Sequence, residues 1–221
     1  MPFSWLRTLF FLFLLALLIT LVQLDIVIVA FEKLGLSRQA AYLLFVSGLL
    51  GSRINDVPLF RLTVSQPERE VPEETICATP GMQQMPPEGK TTVAVNLGGC
   101  VIPVSFSIYL LTHTSLAASD ALIAVVTVAL VAYLCSRPLR GIGVAMPLLV
   151  PPVAAAVVAV LLDYERRAPL AYVGGTLGVL LGADLFRLRD IRSLGVSVAS
   201  IGGAGTFDCI FITGLVAVLL A

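Results

Sequence analysis

An apolar run from Ala117 to Cys135 is interrupted by one charged residue, Asp120, close to its start. About 20 apolar residues in a helix match the hydrocarbon thickness of a bilayer, and lipid leaves no water to satisfy the backbone. Such a run therefore restricts the fold more than any motif does, and it does not stand alone. Of the 221 residues, 58% are hydrophobic and 13% charged, and the mean hydropathy is +0.99. That is too apolar for a domain that must cover itself with polar surface. The expected fold is one polytopic domain over residues 1–221: an all-α membrane protein, a bundle of about seven transmembrane helices in the cell membrane with the lipid bilayer as its partner. The 14 basic and 14 acidic side chains cancel, so charge points to no nucleic acid.

The first span covers the run from Leu9, after Arg7, through Phe31, with Asp25 and Glu32 toward its far end. No small-residue cleavage site follows a short apolar core, which argues for a retained span over a signal peptide. Ala40 to Leu50 is too short to cross alone and needs its continuation to Phe60. In that continuation Asn55 and Asp56 either face an internal cavity or lie on the surface beyond a helix ending at Gly51. Residues 61–91 form a polar loop rich in proline and glutamate that cannot pack a core. Its flanks, Arg61 to Ser65 and Thr91 to Asn96, are β-branched and alternating, and predict a short β-hairpin at the membrane surface.

The third span, from Val93 to Leu111, is interrupted by Asn96-Leu97-Gly98-Gly99 and Pro103. Such an interruption frees backbone groups, and Asn96, Gly98 and Gly99 are candidate substrate- or ion-binding residues, as is Asn55. Ala117 to Cys135 is the fourth span, with Asp120 in its first turn, where a carboxylate suits the helix dipole. The fifth, Val144 to Leu162, contains Pro147, Pro151 and Pro152 and is expected to kink. In the sixth, Gly174, Gly175, Gly178 and Gly182 line roughly one face and invite a closely packed partner helix. The last runs from Val196 to Ala221. Gly202, Gly203 and Gly205 would each cost about 1 kcal/mol inside a helix, which predicts a break between Ser200 and Thr206 and a new helix capped by Thr206. His113 has no second His or Cys nearby, and Cys77, Cys100, Cys135 and Cys209 show no CxxC spacing. No metal site and no cofactor are expected.

Two carboxylates sit in apolar surroundings beside these breaks, Asp184 after Gly182-Ala183 and Asp208 after Thr206-Phe207. An ionised Asp at the bilayer centre costs about 2.5–3.5 kcal/mol on insertion scales, so each needs a reason. At position N2 of a new helix, Asp208 would be held in its ionised form by the free amides there. If Asp184 keeps the proton, the two are a candidate catalytic pair, a general base and a general acid. For Asp184, an ion pair with Arg187 or Arg189 is the competing explanation. The same residues, with Gly202, Gly203, Gly205, Thr206 and Asn96, would also serve a proton- or cation-coupled transporter or ion pathway. A scaffold that binds another membrane protein is the third alternative.

The segments Gly51-Ser52-Arg53-Ile54-Asn55, Asn96-Leu97-Gly98-Gly99, Arg137 to Gly143 and Ser200 to Asp208 resemble a prokaryotic multi-pass membrane family catalogued only as domain of unknown function 1614. The resemblance covers the chain from about Phe31 onward and implies no activity. Phe207-Asp208 and Gly182-Ala183-Asp184 are similar to the paired motifs of intramembrane aspartyl proteases of the presenilin and prepilin-peptidase type, in the opposite chain order and without the Pro-Ala-Leu of those enzymes. That resemblance implies an intramembrane peptidase with Asp184 and Asp208 as its dyad and a transmembrane peptide as substrate, held by strand addition to the hairpin.

Counting Lys and Arg by loop sets the expected orientation. With a cytoplasmic N-terminus, that side collects Arg7, Arg53, Arg61, Arg69, Lys90, Arg137, Arg140, Arg187, Arg189 and Arg192. The outer side receives Lys33, Arg38, Arg166 and Arg167, and the C-terminus lies outside. A cysteine placed in the Arg137 to Arg140 turn, in a background without the native cysteines, should resist a membrane-impermeant thiol reagent applied to intact cells. Labelling from outside would reverse the orientation.

Overall fold

The computed structural model describes residues 26–52, 63–65, 90–139, 143–188, 190, 198–202 and 209–221. Seven α-helices occur among them: α1 (Ile26–Lys33), α2 (Arg38–Gly51), α3 (Ile102–His113), α4 (Ala118–Cys135), α5 (Val150–Leu162), α6 (Arg167–Val179) and α7 (Cys209–Leu220). A π-helical turn, Leu97–Val101, leads into α3, and another, Leu180–Leu185, prolongs α6. The strands are β1 (Thr63–Ser65), β2 (Lys90–Val95), β3 (Arg137–Leu139), β4 (Gly143–Ala145) and β5 (Val198–Ile201).

The molecule is mostly helical, and each expected span contains one of these helices. Among the described residues only α4, and α6 with its π-helical end, are long and apolar enough to cross a membrane. The 18 residues of α4 rise about 27 Å, close to a hydrocarbon thickness of about 30 Å. The 13 residues of α5 and 12 of α7 rise only about 20 and 18 Å.

The connections at 34–37, 114–117 and 163–166 are short, so the helices they join run antiparallel. Gly35, at φ +82°, makes the first of these turns, and Ser37 caps α2 by accepting from the Ala40 amide at 3.3 Å. The same end of the bundle is closed onto α7: Lys33 donates to the Val218 carbonyl at 3.3 Å and Arg167 to the Ala221 carbonyl. Each places a cation at the negative end of that helix. The opposite end carries all the irregular backbone described: both π-helical turns, the five strands and the start of α5.

At this irregular end several expectations are corrected. The hairpin is present, with β1 and β2 antiparallel and Thr63 opposite Thr92, but it belongs to a three-stranded sheet in the order β1-β2-β5. The bundle is therefore not purely α-helical. Strand β5 pairs parallel to β2 over Thr92↔Val198 to Val95↔Ile201. The last span is broken as expected, but the part before the break is this strand. Pro151 and Pro152 do not kink α5. They lie in its first turn, where the missing N–H groups would have no helical partner, and Gly143–Ala145 forms β4 against β3.

Helix α6 is the centre of the bundle and packs on α3, α4, α5 and α7. Over its most apolar window 61% is buried, against 33% for α4. The glycine face finds its partner in α4: side chains added at Gly174, Gly178 and Gly182 would run into Ala124, Val128 and Ala129. At Gly175 the neighbours are Thr213 of α7 and Ala155 of α5. Phe106 completes the core from α3, edge-on to Tyr172 with ring centroids 5.1 Å apart.

A methyl group at Gly182 would collide with the Ala129 carbonyl oxygen. Gly182→Ala should therefore cost about 1–3 kcal/mol by forcing α4 and α6 apart, read as a lower thermal midpoint of the purified protein. An unchanged midpoint would mean that this contact is not tight.

Candidate functional site

Asn96 stands where strand β2 becomes helix, and it is fully buried. Its Oδ1 accepts from the Gly99 amide at 2.7 Å, capping the π-helical turn, while Nδ2 donates to the Ser52 carbonyl at 3.1 Å. Its own backbone N–H donates to the Ile201 carbonyl at 2.9 Å, and its carbonyl accepts from Cys100 and Val101 at 3.1 and 3.2 Å. One residue thus ties together the end of α2, the start of α3 and the end of β5. Backbone groups at helix and strand ends have no partner of their own, and a buried amide serves them where water cannot.

The glycines around Asn96 let the three segments touch. A side chain at Gly98 would run into the backbone of Gly48, Gly51 and Ser52. Gly202, at φ +71°, is in a conformation that side-chain-bearing residues rarely adopt, and its α-carbon faces Cys100 and Gly99. The residues expected to bind a ligand, Asn96, Gly98, Gly99 and Gly202, are therefore brought together, but as a tightly packed joint. Both polar atoms of the Asn96 amide bond backbone groups. Asn55, Gly203, Gly205, Thr206 and Asp208 lie outside the described residues, as do Asp56 and Arg189.

Asp184 lies in the π-helical end of α6, half-buried, with its Oδ2 below the surface. Immediately before it, Ala183 belongs to the same apolar cluster as Val179 and Ile210, and Cys209 packs against that cluster. Helix α7 itself packs on the other π-helical turn, Leu97–Val101. Arg187 is committed elsewhere. It pairs with Asp190 at 2.9 Å, donates to the Tyr133 and Ser136 carbonyls at 2.8 and 2.9 Å and to Ser136 Oγ at 3.1 Å, and stacks on the Tyr133 ring. A guanidinium at the last carbonyls of α4 complements the negative end of that helix.

Sequence reasoning missed Ser52 and Ser136, which work through backbone geometry that no local pattern reveals. It also missed Tyr172, Thr176 and Thr213, buried between α6 and α7. Their signal was available, since three hydroxyls in apolar spans are exceptions of the same kind as the carboxylates. His113 ends α3, exposed, with its ring stacked on Tyr109 at 4.2 Å. Among the described residues no three His, Cys, Asp or Glu side chains gather as a metal site would require.

Asn96→Ala would strand the Gly99 N–H and the Ser52 carbonyl in the interior, at about 1–3 kcal/mol each. We expect a marked drop in the unfolding midpoint of the purified protein. Undiminished stability would contradict the role of Asn96 as a joint.

No curated protein and no solved structure matches this chain. One family model does, over residues 49–220, and the match contains Ser52, Asn96, Gly202 and both candidate carboxylates. With that much of its length matched, the chain belongs to the family described as "Protein of unknown function (DUF1614)".

Proposed function

We propose that this is a multi-pass membrane protein that handles protons or a small cation at a carboxylate site, with Asp184 and Asp208 as the charged groups, near the irregular end of the bundle. Membrane embedding is supported by the outer faces of the helices. Leu43 on α2, Leu122, Leu130 and Leu134 on α4 and Leu161 on α5 are all more than half exposed, a belt that suits lipid better than water. By the arginine count the irregular end faces the cytoplasm. The seven described helices then cross together, and at that end the backbone of β2, β4 and β5 is paired within the protein.

The observation that carries the site is the half-buried carboxylate of Asp184, its Oδ2 below the surface, in a π-helical turn at the end of an apolar helix. An acid in an interrupted helix, with a second acid next in sequence to a glycine-rich stretch, follows the construction of ion-coupled carriers, which bind at discontinuous helices. The parallel pair β2 and β5 adds to this. Each strand leads through a glycine-rich stretch, Asn96-Leu97-Gly98-Gly99 or Gly202-Gly203-Ala204-Gly205, into a helix, as in a parallel repeat.

The same two acids support a second reading, an aspartyl peptidase acting on a transmembrane peptide. Against it, both edges of β2 are occupied, by β1 and β5, so a substrate strand has no place on that side of the hairpin. In proteoliposomes with an internal pH dye and an imposed diffusion potential, wild type should pass protons or a tested cation, and Asp184→Asn or Asp208→Asn should each reduce the flux at least about tenfold, roughly 1.4 kcal/mol of barrier. Cleavage of single-span reporters by wild type, lost in both variants and no worse in the double variant, would instead establish the peptidase. Neither flux nor cleavage from folded wild type would reject both readings.

A further inference from the structure

The basic side chains at the turn end of the bundle are answered within the protein. Arg38 pairs with Glu32 and Arg166 with Asp163, each at 3.5 Å, while Lys33 and Arg167 cap the last carbonyls of α7. The irregular end differs. The stretches after α4 and after the π-helical end of α6, residues 136–143 and 186–193, hold in sequence Arg137, Arg140, Arg187, Arg189 and Arg192 against one acid, Asp190. Arg187 is paired with Asp190 and with the end of α4. Arg137 is exposed, and among the described residues it has no ion-pair partner.

Both cations stand at the carbonyl end of α4. Arg137 directly follows Ser136, whose carbonyl accepts from Arg187 Nη2 at 2.9 Å. Arg187 makes one bond from Nε, one from Nη1 and two from Nη2. A guanidinium has five N–H donors, so one at Nη1 is left for a further acceptor. The 18 residues of α4 nearly match the hydrocarbon thickness, which puts this end at the level of the lipid headgroups. Tyr133 suits that level, an exposed aromatic ring with the Arg187 guanidinium 4.3 Å from its centroid and the Phe186 ring at 6.3 Å. Toward the bilayer centre, Val126, Leu130 and Leu134 follow one another at i+4 on one face of α4, each more than half exposed. From Val126 to Leu134 that apolar strip is about 12 Å long, most of one leaflet's share of the hydrocarbon.

We propose that the end of α4 holds an acidic phospholipid, its phosphate on Arg137 and the remaining donor of Arg187, and one acyl chain along Val126, Leu130 and Leu134. An uncompensated cation joined to an apolar strip matches a molecule with an anionic head and a hydrocarbon tail. A soluble phosphate would use the cation and leave the strip uncovered, and a zwitterionic lipid would bring a cation of its own toward Arg137. This rests on the membrane embedding proposed above and is independent of the carboxylate site.

The test uses the full chain. Flotation with vesicles of phosphatidylglycerol and phosphatidylcholine in equal parts reads membrane insertion, and native mass spectrometry after mild delipidation in detergent reads the lipid retained. Wild type should keep one phosphatidylglycerol in preference to phosphatidylcholine by about fivefold, the ratio expected of one cation at the membrane surface. Arg137→Gln should remove the preference, Arg137→Lys should keep it, and Leu130→Ser should lower occupancy by either lipid. Arg166→Gln at the turn end should leave it unchanged, and inorganic phosphate should not displace the lipid. Equal retention of both lipids by wild type, selection that survives Arg137→Gln or is lost in Arg166→Gln, or full occupancy in Leu130→Ser would overturn the site and leave the membrane reading standing. Displacement by inorganic phosphate would do the same. A lower unfolding midpoint in Arg137→Gln, accompanying the lost preference, would make Arg137 structural and also overturn it. A folded chain that does not float with the vesicles would remove the membrane reading and the lipid site together.

Discussion

Where a helix stops inside an apolar bundle, its end groups have to be satisfied by the protein, and here one buried amide meets most of that demand. Asn96 accepts from Gly99, donates to Ser52 and pairs through its backbone with Ile201. Without it the end of α2, the start of α3 and the end of β5 would each bury unpaired polar groups. The parallel pairing of β5 with β2 continues the same solution, since a strand too short to stand alone gains partners along its length. The irregular end of the molecule is thus closed by hydrogen bonds, while the opposite end is closed by tight turns and by two cations on the last carbonyls of α7.

The centre obeys a different rule. Helix α6 is held by close approach: its glycines admit the backbone of α4 on one side and Thr213 and Ala155 on another. In lipid, where apolar side chains gain nothing by leaving one apolar medium for another, close packing of this kind supplies much of the helix association. The same closeness encloses Tyr172, Thr176 and Thr213, and it is followed along α6 by the π-helical turn that holds Asp184. The close apolar contacts of this one helix thus offset the cost of enclosing its hydroxyls.

The site was partly legible in the sequence. Asn96, Gly98, Gly99 and Gly202 stand out as helix breakers in apolar runs, and they do meet, but as a joint whose polar atoms face backbone. A residue that stabilises a break and one that uses a break to bind a ligand carry the same local signature, so pattern alone could not separate them. Arg187 illustrates a similar limit. Three residues from Asp184, it reads as an ion-pair partner for that acid, yet it lies against the end of α4 and Asp190, because the π-helical turn and the following chain carry it toward Ser136.

Composition and the spacing of apolar runs determined the helical class and the close-packed face of α6, because those depend on local periodicity and on the size of single residues. The proline starts of α5, the parallel pairing of β5 with β2 and the three-way role of Asn96 were decided only by the tertiary structure. Each depends on which backbone groups are left unpaired once the helices have packed, and that quantity belongs to the assembled fold.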